Sequence, residues 1–128
     1  EASANFAQFS AIMRDKPEGF LLISGDDPAT LPMMALGAVG IISVVGNAYP
    51  AKVATLSRLC AEGNYADARQ IHNELLEITD LCFIEGNPAG VKYILQQKGI
   101  GRDHVRLPLV PVSVRTQQAI EQEMKTLG

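Results

Sequence analysis

The residues best placed to do chemistry follow two short apolar runs in the first third of the chain. Residues 24–27 (SGDD) end the run Phe20–Ser24, and residues 42–47 (ISVVGN) end the run Gly40–Val45. Gly25 would let a ligand approach the backbone closely, and backbone carbonyls at strand ends can orient a substrate. We therefore interpret the ends of these two runs as the candidate binding site.

The adjacent carboxylates Asp26 and Asp27 allow three readings: a paired-carboxylate site, a metal site or a helix cap. Adjacent side chains in a turn usually diverge, which disfavours the first two. Asp27 followed by Pro28 is a typical cap and first-turn pair for a helix over Ala29–Leu36. The sequence therefore favours a capping role for Asp27.

Lys92 and the two histidines are the other side chains with reactive groups. Lys92 could act as an amine nucleophile if burial lowered its pKa, but its place one helical turn after Pro88 favours a structural or solvated lysine. His72 is expected on the wet face of a helix, and His104 is expected in a loop. None of the three is predicted to carry the chemistry.

Composition excludes several classes of protein. The 128 residues are 47% hydrophobic, which supports a real core, and the net charge of −3 gives no footprint for nucleic acid or an anionic membrane. No apolar run approaches the roughly 18 residues that span a bilayer. Cys60 and Cys82 lie in helical apolar patterns, so we expect buried thiols in a reducing cytoplasm and no metal site.

Two buried strands and a helix must position the candidate site. Because Phe20–Ser24 and Gly40–Val45 are almost continuously apolar, they are predicted to be parallel strands covered on both faces. The helix over Ala29–Leu36, closed by Gly37, connects them. An amphipathic helix from about Asn5 to Asp15 comes before, with Ser3 or Asn5 as its cap.

No further strand is predicted after Tyr49. Helices are expected over residues 51–61, 65–80 and 88–98, followed by an extended strap over 105–112 that contains Pro108 and Pro111. Ser113 is expected to cap a last helix. Since two strands cannot bury both faces beneath so many helices, we expect the remaining strands of the sheet to come from elsewhere.

Four short sequence motifs resemble those of a known family. LLISGDD, GIISVVGN, FIEGNPAGVK and VRLPLVPVS stand here in the order and approximate spacing of the dihydrodipicolinate synthase family, which belongs to the pyruvate-dependent aldolases and lyases. The resemblance runs through residues 1–128 but covers only the last two fifths or so of a family member. It implies an α/β fold: residues 1–63 are the C-terminal segment of a (β/α)8 TIM barrel, with its last two strands, and residues 64–128 are a C-terminal helical domain.

The resemblance also implies a reaction. Family members condense pyruvate with L-aspartate-4-semialdehyde through a lysine Schiff base, in diaminopimelate and lysine biosynthesis, with no metal or dissociable cofactor. The lysine belongs to a G-x-K-E-A-S type motif, and this sequence begins EAS. The nucleophile is therefore expected immediately before Glu1, no catalytic residue is expected in this chain, and the chain alone is expected to be inactive.

Residues of the resembling motifs are expected to line the pocket. Ile42 matches a residue whose backbone carbonyl lies beside bound pyruvate, and Gly25 matches a glycine that lines the same pocket. Asp26, Ser43 and Asn47 are their neighbours in the expected site.

The resemblance further implies a cytoplasmic homotetramer, with no nucleic-acid or membrane partner. Phe6, Ala7 and Leu36 fall where family members often make subunit contacts, although the same residues fit ordinary packing of barrel helices. Two alternatives stay open. One is a non-catalytic assembly or binding module that associates through an exposed apolar seam. The other is part of a related pyruvate aldolase such as N-acetylneuraminate lyase.

Overall fold

The computed structural model describes residues 2–128, so the position expected for the reactive lysine, immediately before Glu1, lies outside the described residues. Within residues 2–128 the helices are α1 Phe6–Asp15, α2 Thr30–Ala35, α3 Pro50–Ala61, α4 Tyr65–Phe83, α5 Ala89–Gln97 and α6 Val114–Leu127, with a 3₁₀ turn at Val45–Asn47. None of the helices described is long and apolar enough to cross a membrane.

The two predicted strands are extended segments that pair at one point. Ser24 and Ile41 form an isolated parallel bridge, and Phe20–Ser24 and Gly40–Val45 are not regular strands in residues 2–128. Three backbone hydrogen bonds join the first segment to residues 39–42: Val39 N to Leu22 O (2.9 Å), Ser24 N to Gly40 O (2.9 Å) and Ile42 N to Ser24 O (2.8 Å). The predicted parallel pairing is therefore present at one bridge, whereas regular strands are not formed within residues 2–128.

The pleat of the first segment places its side chains alternately inside and outside. Leu22 and Ser24 are buried, whereas Leu21 and Ile23 are 66% and 36% exposed. Ile42 shares the outward face by the same alternation and is 75% exposed. We call Leu21, Ile23 and Ile42 the open face. Within residues 2–128 one face of the paired segments is therefore open, and the second covering layer that was predicted is not among the residues described.

A first compact unit comprises the chain as far as Ser43 together with Ala51–Asn73. Its buried cluster consists of Phe9, Leu22, Ala29, Met33, Met34, Ala38, Leu56, Leu59, Cys60 and Ala68. Helix α1 begins as predicted, because the Asn5 side chain accepts a hydrogen bond from Gln8 N (3.0 Å). Gly37 ends α2 with a φ of 109°, a left-handed conformation that favours glycine.

A second compact unit comprises Val44–Pro50 and Glu74–Gly128. Its most deeply buried side chains include Ile78, Cys82, Ile94 and Ile120. Helices α4 and α5 approach closely at Gly90, where an added Cβ would lie 2.6 Å from Leu81 O. The predicted cap of α6 is confirmed, since the Ser113 side chain accepts from Thr116 N.

The helices α1, α3, α5 and α6 confirm the sequence predictions to within a few residues. Helix α4 continues three residues beyond the predicted end at Asp80, to Phe83. The N-cap of α2 is Ala29, which makes no side-chain capping bond, so the capping role predicted for Asp27 is wrong. Cys60 and Cys82 are buried thiols, as predicted.

Candidate functional site

Two buried hydroxyl groups hold the backbone after the first extended segment. Ser24 Oγ donates to Asp26 O (2.9 Å) and accepts from Asp26 N (3.3 Å). Thr30 Oγ1, from the first turn of α2, also donates to Asp26 O (3.3 Å). Because Ser24 and Thr30 are fully buried, Asp26 is anchored to the core through its main chain, while Gly25 beside it is exposed.

A side-chain hydrogen bond joins the ends of the two segments. Ser43 Oγ donates to a carboxylate oxygen of Asp27, whose residue is only 7% exposed. A buried carboxylate needs hydrogen-bond donors to offset the loss of hydration, and Ser43 is one of them. The sequence analysis missed this pair because its members are 16 residues apart. The available signal was that the ends of parallel segments meet at one edge of a sheet.

The structure brings four of the five predicted site residues into one unit. Gly25 follows Ser24 directly, and the Ile42 backbone bonds to Ser24, so Gly25 and Ile42 lie at the same end of the paired segments. Asp26 and Ser43 flank them. Asn47 belongs to the 3₁₀ turn of the second unit, where its Nδ2 donates to Val44 O (3.0 Å). Ligand contact by any of these residues stays a prediction.

The side chains considered as alternative nucleophiles or bases have structural surroundings. Lys92 Nζ donates to the carbonyl oxygen of His104. His72 is half-buried in α4 rather than on a wet face, and this burial lowers its pKa. Burial also raises the pKa of the Cys60 thiol, which disfavours the reactive thiolate. In the described part of the chain, no three His, Cys, Asp or Glu side chains gather as a metal site.

The arrangement at the segment ends suits binding rather than proton transfer. Its exposed parts are the main chain at Gly25 and the side chain of Ile42, and its one buried carboxylate is occupied by Ser43. A backbone held in this way can orient a small polar ligand by hydrogen bonds and dipoles. That these segment ends form the wall of a pocket stays a prediction.

Comparison with known proteins places this geometry in a family. The sequence model of the dihydrodipicolinate synthetase family matches residues 1–127. The 4-hydroxy-tetrahydrodipicolinate synthase of Parabacteroides distasonis is 45% identical over 128 residues, which are 100% of this chain and 43% of that protein. The chain thus spans less than half the length of such curated relatives.

Solved structures share the fold over the same extent. The dihydrodipicolinate synthase of Aquifex aeolicus superposes with a TM-score of 0.94 at 39% identity, covering 98% of this chain and 43% of that one. A dihydrodipicolinate synthase variant described as monomeric gives a TM-score of 0.95 at 30% identity, covering 100% of this chain and 44% of that one. The chain belongs to the dihydrodipicolinate synthetase family.

Proposed function

We propose that this chain is the C-terminal part of a lyase that condenses pyruvate with L-aspartate-4-semialdehyde in diaminopimelate and lysine biosynthesis, in the cytoplasm. The observation that carries the proposal is the family match over residues 1–127, because it includes both segments whose ends form the candidate site. Relatives named as synthases favour this reaction over that of N-acetylneuraminate lyase.

In the proposed enzyme, Gly25 and Ile42 line the pyruvate pocket and Asp26, Ser43 and Asn47 lie near it. The pairing of Ile42 with Ser24, next to Gly25, supports a shared pocket wall. Residues 1–63 are proposed as barrel and residues 64–128 as helical domain. A turn at Gly63, whose φ is 74°, lies between α3 and α4 at this boundary, whereas the compact units described above divide the chain within α4.

The Schiff-base lysine is proposed to come from outside this chain, so that the chain alone is inactive. Three of its five lysines have contacts that support structural roles. Lys16 Nζ donates to Phe20 O (2.9 Å), Lys92 Nζ donates to His104 O, and Lys98 Nζ lies 4.1 Å from the centre of the Tyr49 ring. Pyruvate would contact the pocket wall formed by this chain, and the imine that it forms with the lysine from outside this chain would supply the electron sink.

Borohydride trapping tests where the nucleophile lies. The 128-residue chain is incubated with pyruvate and borohydride and its intact mass is measured, with the Parabacteroides distasonis synthase as the positive control. We expect the control to gain one reduced pyruvate adduct and this chain to gain none. Stoichiometric labelling of any lysine in this chain would contradict the proposal.

A hybrid protein tests the activity itself. Residues 1–128 replace the matching C-terminal residues of the Parabacteroides distasonis synthase, and condensation is followed with both substrates. We expect an active hybrid whose lysine is trapped by borohydride with pyruvate. A hybrid that is folded by circular dichroism but neither trapped nor active would overturn the proposal.

The non-catalytic alternative predicts that the isolated chain associates with other copies or partners, whereas the proposed enzyme predicts a defined oligomer of the whole protein. The open face of Leu21, Ile23 and Ile42 favours association of the isolated chain. For the whole enzyme we propose a homotetramer with Phe6, Ala7 and Leu36, all exposed here, near its contacts. Since one similar solved variant is described as monomeric, the molar mass of the active hybrid by sedimentation is the test. An active monomer would exclude the tetramer and leave the reaction unaffected.

A further inference from the structure

Two tethers of different kinds hold the end of the paired segments. The first is the backbone bond from Ile42 N to Ser24 O (2.8 Å). The second is the side-chain bond from Ser43 Oγ to the Asp27 carboxylate. Gly25 and Asp26 lie between the attachment points on the first segment. The two hydrogen bonds therefore lie on either side of the main chain at Gly25, which is exposed and belongs to the candidate site.

On the second segment the same two hydrogen bonds attach on either side of one peptide group, the one between Ile42 and Ser43. The Ile42 carbonyl is part of the planar peptide that links Ile42 to Ser43. The residue before this peptide is held through the Ile42 N–H, and the residue after it is held through the Ser43 hydroxyl. Since a peptide plane turns only about its two flanking bonds, restraints on both sides fix the direction of the carbonyl.

Asp27 suits the role of an anchor. It is buried to 93%, it follows Asp26, whose main chain is fixed by Ser24 and Thr30, and its neighbour Ala29 is in the core cluster. A bond from a hydroxyl to a carboxylate is roughly twice as strong as one between neutral groups. The carboxylate can thus hold Ser43 more firmly than a neutral side chain could.

We propose that Asp27 is a positioning residue: through Ser43 it fixes the Ile42 peptide against Gly25 at the mouth of the pocket. The inference rests on the proposed function for its catalytic consequence, but not for its structural one. A ligand with adjacent carbonyl and carboxylate groups, the chemistry of a 2-oxo acid, would meet a carbonyl dipole of fixed direction. Loosening that dipole would impair orientation, for which a shift of about 1 Å costs on the order of 100-fold in rate.

Hydrogen exchange on the 128-residue chain tests the structural step. The Ile42 N–H reports on the tethered end, and the Val39 N–H, bonded to Leu22 O at 2.9 Å, is the internal reference in the same ladder. We expect Asp27→Ala and Ser43→Ala to speed exchange at Ile42 about 10-fold and to leave Val39 within about twofold. Ser43→Thr, which keeps the hydroxyl, should restore slow exchange. Asp27→Asn provides a milder variant in case Asp27→Ala does not fold.

Steady-state kinetics of the hybrid enzyme test the catalytic step. Asp27→Asn and Ser43→Ala should each lower kcat/KM for pyruvate about 10- to 100-fold, and the double variant should lose no more than the worse single variant. Ser43→Thr should recover most of the loss. A residue that served stability alone would lower the amount of folded enzyme but would leave kcat/KM per folded molecule unchanged.

The outcomes separate the two proposals. An inactive unsubstituted hybrid would count against the proposed function, while the exchange experiment would still decide whether Asp27 positions the Ile42 peptide. Equal acceleration at Ile42 and Val39, or no acceleration at either, would overturn the positioning role. Additive losses in the double variant would overturn it as well, since residues acting through one bond cannot be independent.

Discussion

At the scale of single residues, two buried hydroxyl groups fix the main chain that follows the first extended segment. Ser24 and Thr30 both donate to the Asp26 carbonyl, and both are completely buried. Each lost hydrogen bond of this kind costs about 0.5–1.5 kcal/mol, and the Asp26 carbonyl keeps one donor when the other is removed. The stability of this part of the chain should therefore depend on small polar side chains.

Replacing Ser24 tests this dependence. Ser24→Ala removes the donor to Asp26 O and the acceptor for Asp26 N, and should lower the free energy of unfolding by about 1–3 kcal/mol. Ser10→Ala is the matched control, because Ser10 is exposed and its hydroxyl donates to a carbonyl of its own helix, Phe6 O. It should change the free energy by less than about 0.5 kcal/mol. Equal shifts of the urea midpoint would contradict the argument.

Gly90 gives a second test at this scale. An added Cβ would lie 2.6 Å from Leu81 O and 2.7 Å from Cys82 Cα, and these backbone atoms cannot move aside cheaply. Gly90→Ala should therefore destabilise the fold by about 1–3 kcal/mol or more. Gly101→Ala meets no atom within 4 Å and should not lower the urea midpoint. The prediction fails if the two variants unfold at the same urea concentration.

The phenol of Tyr93 links stability to alkaline pH. Burial raises its pKa to about 12 from the ordinary 10.0, and the hydrogen bond to Glu121 (2.6 Å) adds to the shift. Above pH 10 the unfolded tyrosine ionises while the folded one keeps its proton. The contribution of Tyr93 to stability is therefore complete below pH 10 and is lost as the pH rises towards 12. Thermal unfolding between pH 9 and 12, values chosen to bracket this range, should show a smaller loss for Tyr93→Phe.

At the scale of elements, the end of each helix depends on a few capping groups. Helix α6 is the clearest case, because Glu85 from the turn after α4 accepts from Ser113 N (2.8 Å), Ser113 Oγ (2.6 Å) and Thr116 Oγ1. A carboxylate at a helix N-terminus also complements the helix dipole. The turn at Glu85 and the start of α6 are thereby coupled.

Acid should weaken this coupling. Hydrogen bonds from Ser113 and Thr116 lower the pKa of Glu85. A carboxyl group with a lowered folded pKa stabilises the fold above its unfolded pKa, and this contribution is lost as the pH falls through the folded pKa. The difference in melting temperature between the unsubstituted chain and Glu85→Gln should therefore shrink on acidification from neutral pH to below the ordinary range of a glutamate. A difference independent of pH would show that the charge on Glu85 has no role.

The helices and extended segments also show which features of the fold can be predicted from the sequence alone. Asn5 and Ser113 cap their helices as predicted, since a cap depends on residues within one turn. Asp27 was misassigned, because the same Asp-Pro pair fits a cap and only the position of Ser43 decides its partner. Phe20–Ser24 and Gly40–Val45 pair in parallel as predicted but are not regular strands, for a related reason. A strand exists only through its neighbours, and apolar runs do not reveal how many neighbours there are.

At the scale of the whole molecule, many large apolar side chains are exposed in the part of the chain that the structure describes. The open face exposes Leu21, Ile23 and Ile42 on one side of the paired segments, whereas the opposite side carries Leu22 into the core. Contiguous exposed apolar side chains attract apolar ligands and partners, unlike single exposed ones. The isolated chain should therefore bind apolar dyes.

Two variants of equal exposure test this expectation. Leu21 and Ile100 are each 66% exposed, but only Leu21 belongs to the open face. Leu21→Ser should reduce the fluorescence of a bound apolar dye such as anilinonaphthalene sulfonate by about half or more, while Ile100→Ser should change it little. Circular dichroism spectra confirm that both variants are folded. Equal loss of fluorescence would show that dye binds exposed residues regardless of their place.

The short chain distance across the Asp27–Ser43 pair has a consequence for the order of folding. Only 16 positions separate the two residues, so closing the loop between them costs little entropy. A contact across a loop of this length can form before contacts between residues that lie much further apart in the chain. We expect the two segments and α2 to belong to the folding nucleus, with φ-values of about 0.5–0.8 for Leu22 and Met33 when the folding and unfolding rates of their alanine variants are measured. The part of the fold that contains the candidate site would then form first, and the remaining helices would pack against it.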